Sequence, residues 1–125
     1  MVSILPQSIE DELRSPGEHS PELKEIMRNA CQASDFLKAL AHEGRLLILC
    51  LLAERERSVR EIEEILSLCQ PTVSQQLARL RYDNLVATRR DGKMIYYSLA
   101  NPEVRELISV IYDMFCKGTR KRGAN

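Results

Sequence analysis

Four cysteines, Cys31, Cys50, Cys69 and Cys116, carry the widest chemical range in this chain of 125 residues. A thiol can ligate a soft metal, attack as a nucleophile or exchange with another sulfur, and its neighbours decide which. No Cys-x-x-Cys occurs, and no His or acid stands where sequence alone would let it activate a thiol. A small thiol oxidoreductase or sulfur-transfer enzyme would lack its usual machinery, and neither Cys50 nor Cys116 has the partners of a metal ligand. Cys50 closes the run Arg45-Leu46-Leu47-Ile48-Leu49-Cys50, and Cys116 ends the apolar segment that starts at Val110. If the two segments meet as helices, these thiols can react together. Cys50 also reads as a small core hydrophobe, a common role for buried cysteine. Cys116 lies about 100° around its helix from Phe115, at the edge of the apolar seam.

The elements that would position these groups follow from periodicity and punctuation. Residues 1–21 contain Pro6, Pro16, Gly17 and Pro21 among polar side chains and read as a flexible N-terminal tail. Leu23, Ile26, Met27, Ala30, Phe36, Leu37 and Leu40 recur at roughly helical spacing, and Leu46 to Leu52 is apolar almost all round, which predicts a buried second helix. Ser58 begins a capping box with Glu61 ahead of a short amphipathic helix. Pro71 suits the first turn of the next helix, with the stripe Val73, Leu77 and Leu80. Two extended segments, Leu85 to Arg90 and Lys93 to Leu99, are joined at Asp91-Gly92, a hairpin signal. Asn101 caps a last helix with Pro102 at its first position and the seam Val104, Leu107, Ile108, Ile111 and Phe115. This places a domain at 22–118 and a basic tail at 119–125.

Composition narrows the class. The chain is 44% hydrophobic and 29% charged, enough for one small domain. Eighteen basic side chains balance eighteen acidic ones, so a nucleic-acid role depends on distribution. Arg79, Arg81, Arg89, Arg90 and Lys93 outnumber Asp83 and Asp91 between residues 70 and 99, whereas the first 25 residues are rich in acids. Neither a signal peptide nor a membrane-length apolar run is evident, which predicts a cytoplasmic protein without membrane contact, where four cysteines do not imply structural disulfides.

Three helices, the last two joined by a short polar turn, then a hairpin with a basic tip, is the order of a winged helix-turn-helix. The expected fold is mainly α, about five helices with a small β-hairpin wing. With Val73, Leu77 and Leu80 turned inward, Gln75 and Arg79 point away, flanked by Thr72 and Ser74 and preceded by Gln70. Gln can bond adenine and Arg guanine in bidentate fashion, and hydroxyls serve bases or phosphates. Arg89, Arg90 and Lys93 at the wing would reach phosphates or the minor groove. On an ordinary hairpin they would be solvated charges, but beside such a helix pair they read as DNA contacts.

Leu37-Lys38-Ala39-Leu40-Ala41-His42-Glu43-Gly44-Arg45-Leu46-Leu47-Ile48-Leu49 resembles the signature of ArsR-type repressors, and Gln70 to Leu77 and Gly92 to Leu99 resemble that family's recognition helix and wing. The resemblance covers about residues 30 to 116. It implies a homodimer built by the first and last helices, an inverted-repeat operator in double-stranded DNA, and repression of a nearby operon. The apolar stripe of the last helix independently favours a dimer, because so small a chain cannot easily cover it. Cys69 stands where the family often has Ser, and Gln76 where His is common.

Metal-sensing members often carry a Cys pair in the third helix or Asp and His on the last. Here the third helix reads Val59-Arg60-Glu61-Ile62-Glu63-Glu64, and the histidines are His19 and His42, so no metal or cofactor is expected. Cys50 after the Leu-x-Ile-Leu element, with a cysteine ending the last helix, instead resembles the family's persulfide-sensing subgroup. That resemblance assigns the redox-sensing pair to Cys50 and Cys116, with low-molecular-weight persulfides or polysulfides as inducers. A polysulfide gains about 2 Å per added sulfur and can span thiols too distant for a disulfide, whose Cα atoms must lie within about 7 Å. General peroxide or disulfide sensing is the alternative, and metal sensing a weaker one. Cys31 reads as packing, Cys69 as a second candidate sensor near a helix N-terminus, and His42 as a stabiliser of a helix junction.

Overall fold

The computed structural model describes residues 4–15, 17–66 and 73–123, with side chains described only as far as residue 116 in the last helix. The element order is α1 (Gln7–Arg14), α2 (Pro21–Leu40), α3 (Glu43–Glu54), β1 (Arg57–Ser58), α4 (Val59–Leu66), α5 (Val73–Tyr82), β2 (Val86–Asp91), β3 (Met94–Leu99) and α6 (Pro102–Gly123). Contacts divide it into two units, residues 1–37 and 38–125.

In the first unit, the expected flexible tail contains a helix. Helix α1 is supported by the Arg14–Glu10 ion pair at 2.6 Å and the Gln7–Asp11 hydrogen bond at 3.3 Å, both one turn apart. Ile9 and Leu23 are fully buried. Ser20 caps α2: its Oγ accepts from the Leu23 amide at 3.1 Å and donates to Glu12 at 2.7 Å, while Pro21 takes the first helical position. Glu12 also accepts from the Ser20 amide, and these bonds hold its carboxyl below the usual carboxylate range.

The second unit is a helix-turn-helix with a wing. His42 caps α3 by accepting from the Gly44 amide at 3.1 Å, which gives substance to its expected junction role. Helix α3 buries Ile48, Leu49 and Leu52 and packs on α5, α6 and β3, though Leu47 on its outer side is 38% exposed. Ser58 Oγ accepts from the Glu61 amide at 3.1 Å, the serine half of the capping box. The Glu61 carboxylate turns instead to Arg55 and Arg57, two cations that outbid a backbone amide. Helix α5 buries Val73, Leu77 and Leu80 as the pattern requires. It ends in a Schellman turn: Asn84 sits at φ 60, its amide reaches Arg81 O at 3.1 Å, and the Leu85 amide reaches Leu80 O at 3.0 Å.

The sheet is antiparallel in the order β1-β3-β2, with Arg57 opposite Tyr97 and Val86 opposite Leu99. Pairing of Asp91 with Met94 moves the two-residue turn to Gly92-Lys93, one residue beyond the expected position. Gly92 has φ 63, the conformation the first position of a type II′ turn demands. Asn101 caps α6 through the Val104 amide at 2.9 Å, as expected. Six helices are present among the described residues, against about five expected, and α6 runs through Gly123, so the segment expected as a tail from residue 119 is helical over most of its length. No described helix is long and apolar enough to cross a membrane.

Candidate functional site

Two surfaces of the second unit carry the groups singled out by sequence. The first is the outer face of α5. Its inward anchors Val73, Leu77 and Leu80 leave Ser74, Gln75 and Arg79 exposed. Ser74 Oγ donates to Glu63 at 3.4 Å, and Arg79 is held by Asp83 one turn on at 2.6 Å. Gln75 has no intramolecular hydrogen bond among the described residues. Gln76 accepts from Arg45 Nη1 at 3.1 Å, and Arg45 also donates to Ala39 O, so the start of α3 is tied to the recognition helix. Gln70 and Thr72, together with Cys69 and Pro71, lie outside the described residues.

On the wing, the three cations differ. Arg89 donates to both carboxylate oxygens of Glu56, at 2.8 and 2.7 Å, and its guanidinium lies 4.4 Å above the Tyr96 ring. That hydrogen bonding holds the Glu56 carboxyl below its ordinary range. Arg90 and Lys93 are exposed and form no ion pair among the described residues.

The second surface is a cleft between α3 and α6, of about 480 Å³, lined by Cys50, Ala53, Glu54, Arg105, Ile108, Ser109 and Tyr112. Cys50 and Cys116 are both free and half-buried. Burial pushes the Cys50 thiol up, and the neighbouring Cys116 and Glu54 push it further in the same direction. The two helices therefore do meet, and the two thiols stand within electrostatic reach. Cys31 is exposed on α2, where packing was expected. Among the described residues no three His, Cys, Asp or Glu side chains converge to hold a metal ion.

Sequence reasoning passed over Arg45, Glu56, Glu54 and Arg105. Arg105, Ser109, Tyr112 and Cys116 follow at i, i+4, i+7 and i+11, a single helical stripe that was legible as spacing but was masked by the stronger apolar seam beside it.

The profile of the bacterial regulatory protein arsR family matches residues 42–88. The transcriptional activator HlyU of Vibrio cholerae is 40% identical over 98 residues, spanning 78% of this chain and 91% of that protein. A biofilm growth-associated repressor of Agrobacterium fabrum is 44% identical over 94 residues, spanning 75% of this chain and 80% of its own length. The solved structure of reduced HlyU from Vibrio cholerae superposes with a TM-score of 0.68 at 41% identity, covering 75% of this chain and 99% of that one.

Proposed function

This chain belongs to the arsR family of bacterial regulatory proteins and is a DNA-binding transcription regulator, not an enzyme, and on that premise we propose that it is a homodimeric cytoplasmic repressor whose Cys50–Cys116 dithiol responds to persulfides. Residues 22–118 form the DNA-binding and dimerisation domain in this reading. Exposed apolar residues support the dimer: Met27 and Leu37 on α2, and Val110, Met114 and Phe115 on α6, the last 79% exposed. Two copies would present their α5 helices to successive major grooves about 34 Å apart on an inverted repeat. Ser74, Gln75 and Arg79, with Gln70 and Thr72, would read base edges, and Arg89, Arg90 and Lys93 would hold phosphates.

The observation that supports the sensor is that α3 and α6 pack together and bring Cys116 within electrostatic reach of Cys50, which lines the cleft between them. The Cys50 thiolate attacks the outer sulfur of an organic persulfide RSSH, the S–S bond breaks, and RS⁻ leaves with the electron pair. Cys50 is left as a persulfide. The Cys116 thiolate can then attack Cys50 Sγ itself, the inner sulfur, expelling the outer sulfur as hydrosulfide and closing a disulfide. Alternatively Cys116 takes a sulfane sulfur of its own, and the two persulfides condense to a trisulfide with loss of one hydrosulfide. Either bridge ties α3 to α6. Because Arg45 near the start of α3 holds Gln76 on α5, a constraint on α3 is felt by the recognition helix.

Burial pushes the Cys50 thiol up, so sulfur exchange and peroxide attack alike draw on a small thiolate fraction at neutral pH, and the choice between them is left to the oxidant comparison. The test is mass spectrometry of reduced protein after separate exposure to glutathione persulfide, hydrogen peroxide and oxidised glutathione, with DNA affinity measured on the same samples. A Cys50–Cys116 bridge formed with the persulfide alone, and release of DNA with it, is the expected result. A bridge formed equally with every oxidant makes the protein a general redox switch, and silent cysteines end the dithiol mechanism.

A further inference from the structure

The Cys50 cleft contains a cation with nothing of its own to neutralise. Arg105 lines the cleft on α6, is exposed, and has no ion pair or hydrogen bond among the described residues. The acid nearest to hand in the cleft, Glu54, is engaged by Arg57 at 3.2 Å. Ser109 and Tyr112, one and two turns along from Arg105, add hydroxyl groups to the same wall, and Ile108 and Ala53 supply its apolar floor. The thiol lies in the same cleft, and one helical stripe runs from Arg105 past Ser109 and Tyr112 to Cys116, about 16 Å by helical rise. A cleft with a nucleophilic sulfur, an apolar floor and a separate cation fits an extended donor with a carboxylate several ångströms from its sulfur.

We propose that Arg105 docks the carboxylate of the sulfur donor, so that this cleft selects organic persulfides of acidic thiols over those with uncharged tails. The inference rests on the persulfide reading of the Cys50–Cys116 pair and adds to it the class of donor and the residue that recognises it. An exposed guanidinium matches a carboxylate through paired N–H donors, and Arg does so better than Lys because its fork is planar. The chemistry at sulfur is unchanged. Cys50 takes the outer sulfur, the donor leaves as its thiolate, and the Arg105–carboxylate contact is kept through the transfer and lost when the thiol departs.

The uncharged donor reads the reactivity of Cys50 without a carboxylate contact and so serves as the control for any effect of Arg105 on the thiol itself. Donor selectivity and thiol reactivity can therefore be separated. The experiment measures the rate of Cys50 persulfidation by mass spectrometry in the full chain, with glutathione persulfide and with mercaptoethanol persulfide, for the parent and for Arg105→Gln and Arg105→Lys. The parent should react faster with the glutathione donor. R105Q should slow that donor by about tenfold and leave the uncharged donor unchanged, with R105K between, as expected for loss of one exposed charged contact steering an anion. Raising the salt concentration should erase most of the parent's preference. Equal rates for both donors in the parent, or an equal slowing of both in R105Q, overturns the docking role while leaving the dithiol switch standing. No persulfidation of Cys50 by either donor overturns both.

Discussion

Arg89 and Glu56, 33 residues apart, are joined by two hydrogen bonds of 2.8 and 2.7 Å with the Tyr96 ring beneath the guanidinium. The strongest phosphate candidate on the wing is thus already paired, and it must share or surrender Glu56 to contact DNA. Glu56→Gln keeps the shape and removes the competing charge. Duplex affinity should rise about two- to fivefold at low salt, in line with the modest worth of an exposed pair, and the gain should shrink as salt is raised. Arg89→Ala should cost more in the E56Q background than in the parent. Lowering the pH into the usual carboxylate range should not mimic E56Q, because Arg89 holds the Glu56 carboxyl below that range. Fluorescence anisotropy across a salt series checks this, and identical binding by E56Q and the parent would mean that Arg89 does not reach DNA.

Gln75 and the pair Arg90 and Lys93 should affect binding in different ways. Gln75 is exposed on α5 with no intramolecular hydrogen bond among the described residues, so its amide is available to a base edge. Gln75→Ala should lose about 1–3 kcal/mol of discrimination at one operator position and leave the salt dependence unchanged. Joint replacement of Arg90 and Lys93 by Ala should weaken all sequences alike and reduce the slope of log K against log salt by about 2 for each half-site, or about 4 for the dimer. An operator selected from a randomised duplex pool supplies the ligand. If Q75A lowers affinity for every sequence equally, Gln75 is not a base reader.

The sequence made the local elements legible and left the long-range pairings hidden. Asn101 and Ser58 cap their helices as their types and positions require, because a cap is settled within three residues. The hairpin was visible through Gly92, although its turn is set one residue further by the pairing of Asp91 with Met94. Helix α1 was hidden because its support is a set of polar contacts among Glu10, Arg14, Glu12 and Ser20, which periodicity of apolar residues does not register. Strand β1 is two residues long and exists only by pairing with β3, some 40 positions on. Arg89 read as a wing cation because nothing local announces Glu56. The cysteine pair was legible as two apolar helices that could meet, but the Arg105 wall of the Cys50 cleft was not, since it depends on which face of α6 lies against α3.

Arg57 should be the most costly charged residue to remove from the second unit. Only 9% exposed, it donates to Leu51 O at 3.0 Å, Glu61 at 3.0 Å and Glu54 at 3.2 Å, linking α3, β1 and α4. Arg57→Ala leaves the part-buried Leu51 carbonyl and part of the Glu61 carboxylate without their donor, and should destabilise the fold by about 3 kcal/mol. Arg57→Lys should recover little, because an ammonium cannot span three acceptors. Glu61 adds a pH signature. Its carboxyl is lowered chiefly by the Arg55 hydrogen bond and then by the charges of Arg55 and Arg57. A lowered folded-state value contributes stability that is present above the ordinary carboxylate range and lost as pH falls through the folded value. R57A should narrow that acid-side loss. Urea unfolding at pH 7 and pH 4 measures both, and a cost under about 1 kcal/mol would show that solvent replaces the lost bonds.

Cys50 sets the pH dependence of the proposed switch, and the sign follows from its surroundings. Burial raises its pKa first, and Cys116 and Glu54 raise it further by disfavouring a second negative charge. Reaction requires the thiolate, so alkylation of Cys50 by iodoacetamide should quicken about tenfold per pH unit through neutrality and level off above the ordinary thiol range. Cys116→Ser should bring that midpoint down by removing a neighbouring charge, as should Glu54→Gln, but neither should restore the ordinary value because burial remains. The same displacement bears on stability. A value raised on folding contributes stability that is fully present below the ordinary thiol pKa and lost as pH rises through the folded value, so the protein should weaken on the alkaline side and C116S should weaken less. Peptide-resolved alkylation rates between pH 6 and pH 10 decide it. A Cys50 midpoint at or below that of a free thiol would mean that the helix α3 side of the cleft is wet and that burial does not govern the reactivity of Cys50.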